Sequence, residues 1–163
     1  MPTPFRPPMS FREHKHELSL DLPAAHRGVR VARNVVRHFA RMEGVVNAEI
    51  EQLVLIISEL LANAIDHGGG TPAMTEGELV GDPRMRLALI IGDKEWQLSV
   101  SDEAGGDAGR VRRAIRSAQL PDIEDERGRG LYLQRQMVDS MEVDVSPDGR
   151  GLTFRVMRRH APR

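Results

Sequence analysis

Glu59, Asn63 and Asp66 recur at i, i+4 and i+7, so a helix through them gathers two carboxylates and an amide on one face. The surrounding residues are apolar (Leu53, Val54, Leu55, Ile56, Ile57, Leu60, Leu61), the pattern of a helix buried over most of its circumference. Polar groups on such a helix are costly unless something satisfies them. Mg²⁺ with phosphate oxygens would do so, because this cation takes oxygen ligands and commonly keeps nucleotide phosphates in its shell. A polar stripe that simply faces water is the alternative, and this motif alone leaves both open.

Two further segments favour the nucleotide. Val100-Ser101-Asp102-Glu103-Ala104-Gly105-Gly106 follows an alternating, strand-like run (Trp96, Leu98, Val100) and sets Asp102 where a strand opens into a glycine-rich loop. Arg127-Gly128-Arg129-Gly130-Leu131 leads into an amphipathic stretch. Gly-x-Gly before a helix lets backbone N–H groups approach phosphates at the positive end of the helix dipole. Each glycine segment alone is weak, since glycine is common near turns. Their order along the chain is far more specific.

With these segments the chain resembles the Bergerat-fold ATPases and kinases, the GHKL group, and within it the bacterial anti-sigma-factor serine kinases. The matching elements are Glu59-x-x-x-Asn63, Asp102-x-Ala104-x-Gly106, Gly128-x-Gly130-Leu131 and Gly151-x-Thr153-Phe154, and the resemblance covers roughly residues 16–158. One position departs from the family's usual Asp-x-Gly-x-Gly: Ala104 stands in the middle, which bears on the fit of the loop to adenine more than on the identity of the site.

The resemblance implies a role for each residue. Glu59 acts as general base on a serine hydroxyl or orients water, and Asn63 is a Mg²⁺ ligand. Asp102 accepts from the exocyclic amine of adenine, which discriminates against guanine because guanine carries a carbonyl there. Thr153 supports that contact, often through water. Gly106, Gly128 and Gly130, with Leu131 beside them, supply backbone room and N–H donors, while Arg127 and Arg129 lie near the γ-phosphate. Asp66 joins the nucleotide site less specifically, and His67 equally suits the negative end of a helix. Each has a plain alternative: a solvated Glu, an Asn capping a turn, a strand Thr, an Arg beside a loop.

A chain of 163 residues fits one domain with a substantial core, and 40% hydrophobic with 29% charged residues is ordinary for a globular protein. The formal net charge of −1 gives no overall attraction to nucleic acid or anionic membrane. There is no cysteine, hence no disulfide, thiolate nucleophile or Cys-ligated zinc. No apolar run approaches the ~20 residues of a membrane span and no signal-peptide core is present, so a cytoplasmic location is expected.

Residues 1–15, with Pro2, Pro4, Pro7 and Pro8, read as a mobile arm; 16–158 as an ATP-binding, kinase-like domain; 159–163 as a tail. Strands are expected at 16–22, 84–92, 95–101, 141–146 and 151–158. Helices are expected at 24–42, from an Asn47 N-cap to Gly68, and at 131–140, with a short one at 111–118. Glu49 and Glu51 would complement the dipole of the second helix. Residues 71–83 read as a loop, and 107–127 as the interval the family uses as a lid over ATP. The fold expected is an α/β (α+β) two-layer sandwich: one mixed, mainly antiparallel sheet with three main helices on one face. Arg27, Arg30, Arg33, Arg37 and Arg41 share a broad face of the first helix, either solvated or steering an acidic partner.

The reading that results is an ATP- and Mg²⁺-binding regulator that sequesters a sigma factor and phosphorylates Ser or Thr on an antagonist protein. Neither nucleic acid nor membrane is an expected partner, and a homodimer is compatible with it. One rival is an ATP-sensing anti-sigma module with little or no kinase activity; Glu59 argues against it and Ala104 leaves it open. A second is a histidine kinase catalytic domain, which needs a preceding phosphoacceptor helix pair that a 15-residue arm has no room for.

Overall fold

The computed structural model describes residues 14–66, 83–103, 105–117 and 126–162, without the side chains of Asp66 and residues 126–129. Most of the arm (1–13), the tail's last residue, most of the loop at 71–83 and part of the lid interval therefore lie outside the described residues. In chain order the elements are β1 (His16–Pro23), α1 (His26–Met42), α2 (Asn47–Asp66), β2 (Arg84–Ile91), β3 (Glu95–Asp102), α3 (Ala108–Arg116), α4 (Glu126–Gln136), β4 (Ser140–Val145) and β5 (Leu152–Arg159). The five strands form one sheet in the order β1-β2-β3-β5-β4, and every pairing is antiparallel.

Strand alternation builds the two layers. Met85, Leu87, Leu89 and Ile91 on β2 and Trp96, Leu98 and Val100 on β3 are buried, while the residues between them are not. This apolar face meets Leu53, Ile56, Ile57, Leu60 and Leu61 of α2 and Ala32, Val36 and Ala40 of α1 in one core. Burying each large aliphatic side chain stabilises the fold by about 1.5–3 kcal/mol before entropy is counted. Among the described residues no helix is long and apolar enough to cross a membrane.

Several boundaries differ from the sequence expectation. The carbonyl of Val46 accepts from Ile50 N at 3.0 Å, so Val46 takes the capping position and Asn47 is already helical. Glu49 lies in the first turn of α2, as expected, but buried: it is 4% exposed, and its Oε1 lies 2.7 Å from His160 Nδ1, while His160 Nε2 lies 2.8 Å from the Gly92 carbonyl. The short helix α3 starts at Ala108 because the Asp107 side chain caps it, accepting from Arg110 N at 3.1 Å. Most consequentially, α4 begins at Glu126 and ends at Gln136, not 131–140. The chain leaves the helix early because Asp139 N donates to the Met157 carbonyl at 3.0 Å and Asp139 Oδ2 accepts from Arg159 N at 2.6 Å, which draws it into the sheet.

The arginine face of α1 is largely solvated. Arg27, Arg30, Arg33 and Arg41 are exposed, and Arg37 reaches Glu51 of α2 at 3.1 Å through Nε. That hydrogen bond, with the field of Arg37, Arg41 and Arg33, holds the Glu51 carboxyl below its ordinary range.

Candidate functional site

The elements bring the chemistry-bearing residues to one end of the sheet. The first turn of α2 is tied through Glu49 and His160 to Gly92, just before β3 begins, and α2 packs along β3. At about 1.5 Å per residue, 20 residues of helix run the length of an eight-residue strand at about 3.3 Å per residue. The last turns of α2, with Asn63 and Asp66, therefore lie at the end of β3 that carries Asp102. The α4 helix runs the other way: its start abuts α2 and its end reaches Met157, which pairs with Gln97 in the first half of β3. Its positive end thus faces the site.

Glu59 is exposed on α2 and its Oε2 stands 3.9 Å from where a Cβ on Gly130 would be. The absence of a side chain at Gly130 leaves the carboxylate open beside the first turns of α4. Gly128 and Gly130 lie within those turns, not ahead of them: the backbone N–H groups without helical partners run as far as Gly128, while Gly130 already falls in the helical ladder. Asn63 is half-buried, and its Nδ2 is buried without a hydrogen-bond partner among the described residues. The oxygen and nitrogen of this amide exchange by a half-turn, so the same orientation can present an oxygen to a cation.

Asp102 is the last residue of β3 and only 9% exposed. Its Oδ1 accepts from Leu152 N at 3.1 Å, and its carbonyl accepts from Ser146 Oγ at 3.1 Å. The strand parity of Asp102 is that of Trp96, Leu98 and Val100, so it rises toward the helices. Thr153 is 3% exposed and pairs with Ser101, on the opposite parity. Its hydroxyl lies 2.9 Å from Ser101 Oγ and donates to Ser146 Oγ at 3.3 Å. Thr153 therefore reaches Asp102 from behind the sheet, through Ser146, and to the carbonyl and not the carboxylate.

Of the remaining candidates, Gly106 packs against Leu152 in the loop after β3, and Leu131 is 1% exposed in the core. Arg127 and Arg129 lie in the first turn of α4, and Asp66 ends α2; their side chains, like Ala104 and His67, fall outside the description. A cavity of about 440 Å³ at this end is lined by Arg84, Arg86, Ser101, Asp102, Glu103, Ser146, Pro147 and Asp148.

Sequence reading passed over Ser146 altogether, and it took Gly151 only as part of a family motif. Gly151 is the one position where a Cβ would stand 2.2 Å from Asp102 Oδ1. The signal for both was present in the turn Ser146-Pro-Asp-Gly-Arg-Gly151, but it acquires meaning only once β5 is laid beside β3.

Comparison with known proteins bears on the fold and the family. The chain is similar to the serine-protein kinase RsbW of Bacillus pumilus, 24% identical over 79% of this chain and 78% of that protein. It is also similar to the anti-sigma F factor of Bacillus velezensis, 25% identical over 88% of this chain and 92% of that protein. Among solved structures it resembles the RsbU and RsbW domains of a Mycobacterium tuberculosis protein, with a TM-score of 0.59 and 18% identity over 90% of this chain. The chain spans about a third (33%) of the length of that structure. The SiaB–SiaC complex of Pseudomonas aeruginosa gives a TM-score of 0.59 at 17% identity, over 86% of this chain and 89% of that one. Residues 22–156 match the model of the histidine kinase-like ATPase domain, and the chain belongs to that family.

Proposed function

We propose that this protein is a GHKL-type serine/threonine kinase that binds ATP with Mg²⁺, phosphorylates an antagonist protein and sequesters a sigma factor. The observation that carries the reading is the meeting of Glu59 with the Gly-x-Gly start of α4, at the end of the sheet where Asp102 lies. The names of the relatives, a serine-protein kinase and anti-sigma F factors, support the choice of acceptor and partner. A cytoplasmic location and a homodimer are compatible with it.

Each residue has a task in this reading. Asp102 takes the adenine amine, held in place by Leu152 N on one carboxylate oxygen. The N–H groups at the start of α4 receive phosphate oxygens, with Arg127 and Arg129 in the same turn. Asn63 offers one oxygen to Mg²⁺, which supplies charge neutralisation on the phosphates when bound. Among the described residues no three His, Asp or Glu side chains gather as a metal site of their own, so phosphate and water would complete the shell. Glu59, exposed and next to Gly130, would accept the proton of the incoming hydroxyl as its oxygen attacks the γ-phosphorus and the bond from that phosphorus to the β–γ bridging oxygen breaks, releasing ADP. Asp66 stands one turn beyond Asn63 and would bind the metal's water shell.

The test is transfer of label from γ-labelled ATP to a protein retained from native cytosol by this chain. Labelling of a retained partner on Ser or Thr is the expected result. Retention without labelling would replace the kinase with an ATP-sensing anti-sigma module.

A further inference from the structure

Ser146, between β4 and β5, is 5% exposed and belongs to none of the nucleotide motifs. Its hydroxyl ends a directed chain. Thr153 Oγ1 donates to Ser146 Oγ at 3.3 Å, so its single proton is spent there. The 2.9 Å bond between Ser101 Oγ and Thr153 Oγ1 must then be donated by Ser101. Ser146 in turn gives its proton to the Asp102 carbonyl at 3.1 Å. Three hydroxyls, each using its one proton in the same direction, run from the residue before Asp102 across β5 and back to Asp102 itself.

That placement matters because the β3–β5 ladder stops at the pair Ser101–Thr153. On its other side Asp102 is still paired, with Met85 of β2, but toward β5 the chain passes the last pair and enters a loop with Gly105 and Gly106. On the β5 side, Ser146 Oγ bonds its carbonyl and Leu152 N its carboxylate. The turn that carries Ser146 is itself braced: Ser146 N donates to the Gly151 carbonyl at 2.7 Å, and Gly149 N to the Ser146 carbonyl at 2.8 Å.

We propose that Ser146 is a positioning residue for nucleobase recognition, clamping the Asp102 peptide from the helix-free side so that the carboxylate meets the base amine in line. The inference rests on Asp102 being the adenine acceptor. A hydroxyl that merely pins the β4–β5 turn would add stability without altering which base is preferred, and the two roles separate experimentally.

Affinities for ATP and for inosine triphosphate, which has a carbonyl in place of the amine, are measured by calorimetry on wild type, Ser146→Ala and Thr153→Val, with melting temperatures alongside. Wild type should prefer ATP. Ser146→Ala should lose about tenfold in ATP affinity, the scale of one hydrogen bond, and keep its affinity for the inosine nucleotide, narrowing the preference. Thr153→Val leaves the Ser146 proton on Asp102 and should narrow it less. An unchanged preference in Ser146→Ala, whatever its melting temperature, overturns the proposal, as does equal narrowing by both variants. Should the alanine variant not fold, Ser146→Cys, of similar size and with a weaker donor, carries the same comparison. Wild type that binds both nucleotides equally would instead refute the adenine role of Asp102, and this inference with it.

Discussion

A methyl group on Gly151 would stand 2.2 Å from Asp102 Oδ1 and 2.3 Å from the Asp102 carbonyl oxygen, so these two residues share space that no other side chain can enter. The contact is with backbone and with a carboxylate already bonded to Leu152 N, neither of which can swing aside cheaply. Gly151→Ala is therefore expected to displace Asp102. Overpacking of this kind costs about 1–3 kcal/mol, and ATP binding should fall with stability. Thermal unfolding and calorimetry check both; a variant with native stability and native affinity would show that the strand end yields more easily than its bonds suggest.

Asp102→Asn separates charge from shape. The amide can still accept from Leu152 N, so the fold should survive, but a charged acceptor for the base amine is lost. Hydrogen bonds to charged groups contribute roughly 1.5–3 kcal/mol, which corresponds to about a tenfold to hundredfold weaker Kd for ATP. Equal affinities by calorimetry would remove adenine recognition from Asp102.

The architecture was legible because its strongest signals are periodic. The alternation on β3 and the apolar run of α2 each require a buried face, and burying both makes a two-layer fold. The start of α4 was not legible: Glu-Arg-Gly-Arg-Gly has no apolar periodicity, and its helix is set by packing onto α2 and α3. Glu49 was legible as an acid in the first turn of α2, but not its burial against His160, which lies 111 residues away, a distance that only the sheet closes. Thr153 was found by motif, yet the face it takes depends on strand register, which spacing alone does not specify. Ser146 was missed for a related reason, since a serine beside Pro147 in a turn is ordinary until Asp102 is placed behind it.

The α3 helix has a small apolar footprint: Ala108, Val111 and Ile115 are buried on it, it packs against α4 and β4 at the edge of the sheet, and Arg112 ties it to β4 by donating to the Val143 carbonyl at 3.0 Å and to Asp144 Oδ1 at 2.9 Å. A nine-residue helix with so small a buried face opens at lower free-energy cost than the core, as an element that closes over a ligand must. Amide exchange in residues 108–116 should be fast without nucleotide and slow by an order of magnitude or more with saturating Mg²⁺ and ATP. Equal protection in both states would exclude α3 from any closure.

Glu59 and Asn63 sit one turn apart on α2 but should fail differently. Glu59 is exposed beside Gly130, and a base for the acceptor hydroxyl need not hold the ground-state nucleotide. Glu59→Ala should bind ATP as wild type does and lose phosphoryl transfer by ~10²-fold or more, the range of general-base catalysis. Asn63→Ala removes a metal ligand, and with it both Mg²⁺-dependent binding and transfer. Nucleotide affinity with and without Mg²⁺, measured beside single-turnover transfer to the retained partner, distinguishes the two. Transfer by Glu59→Ala at the wild-type rate would leave the kinase standing and assign the proton to another acceptor. Loss of ATP binding in the same variant would make Glu59 part of the nucleotide pocket and not its base.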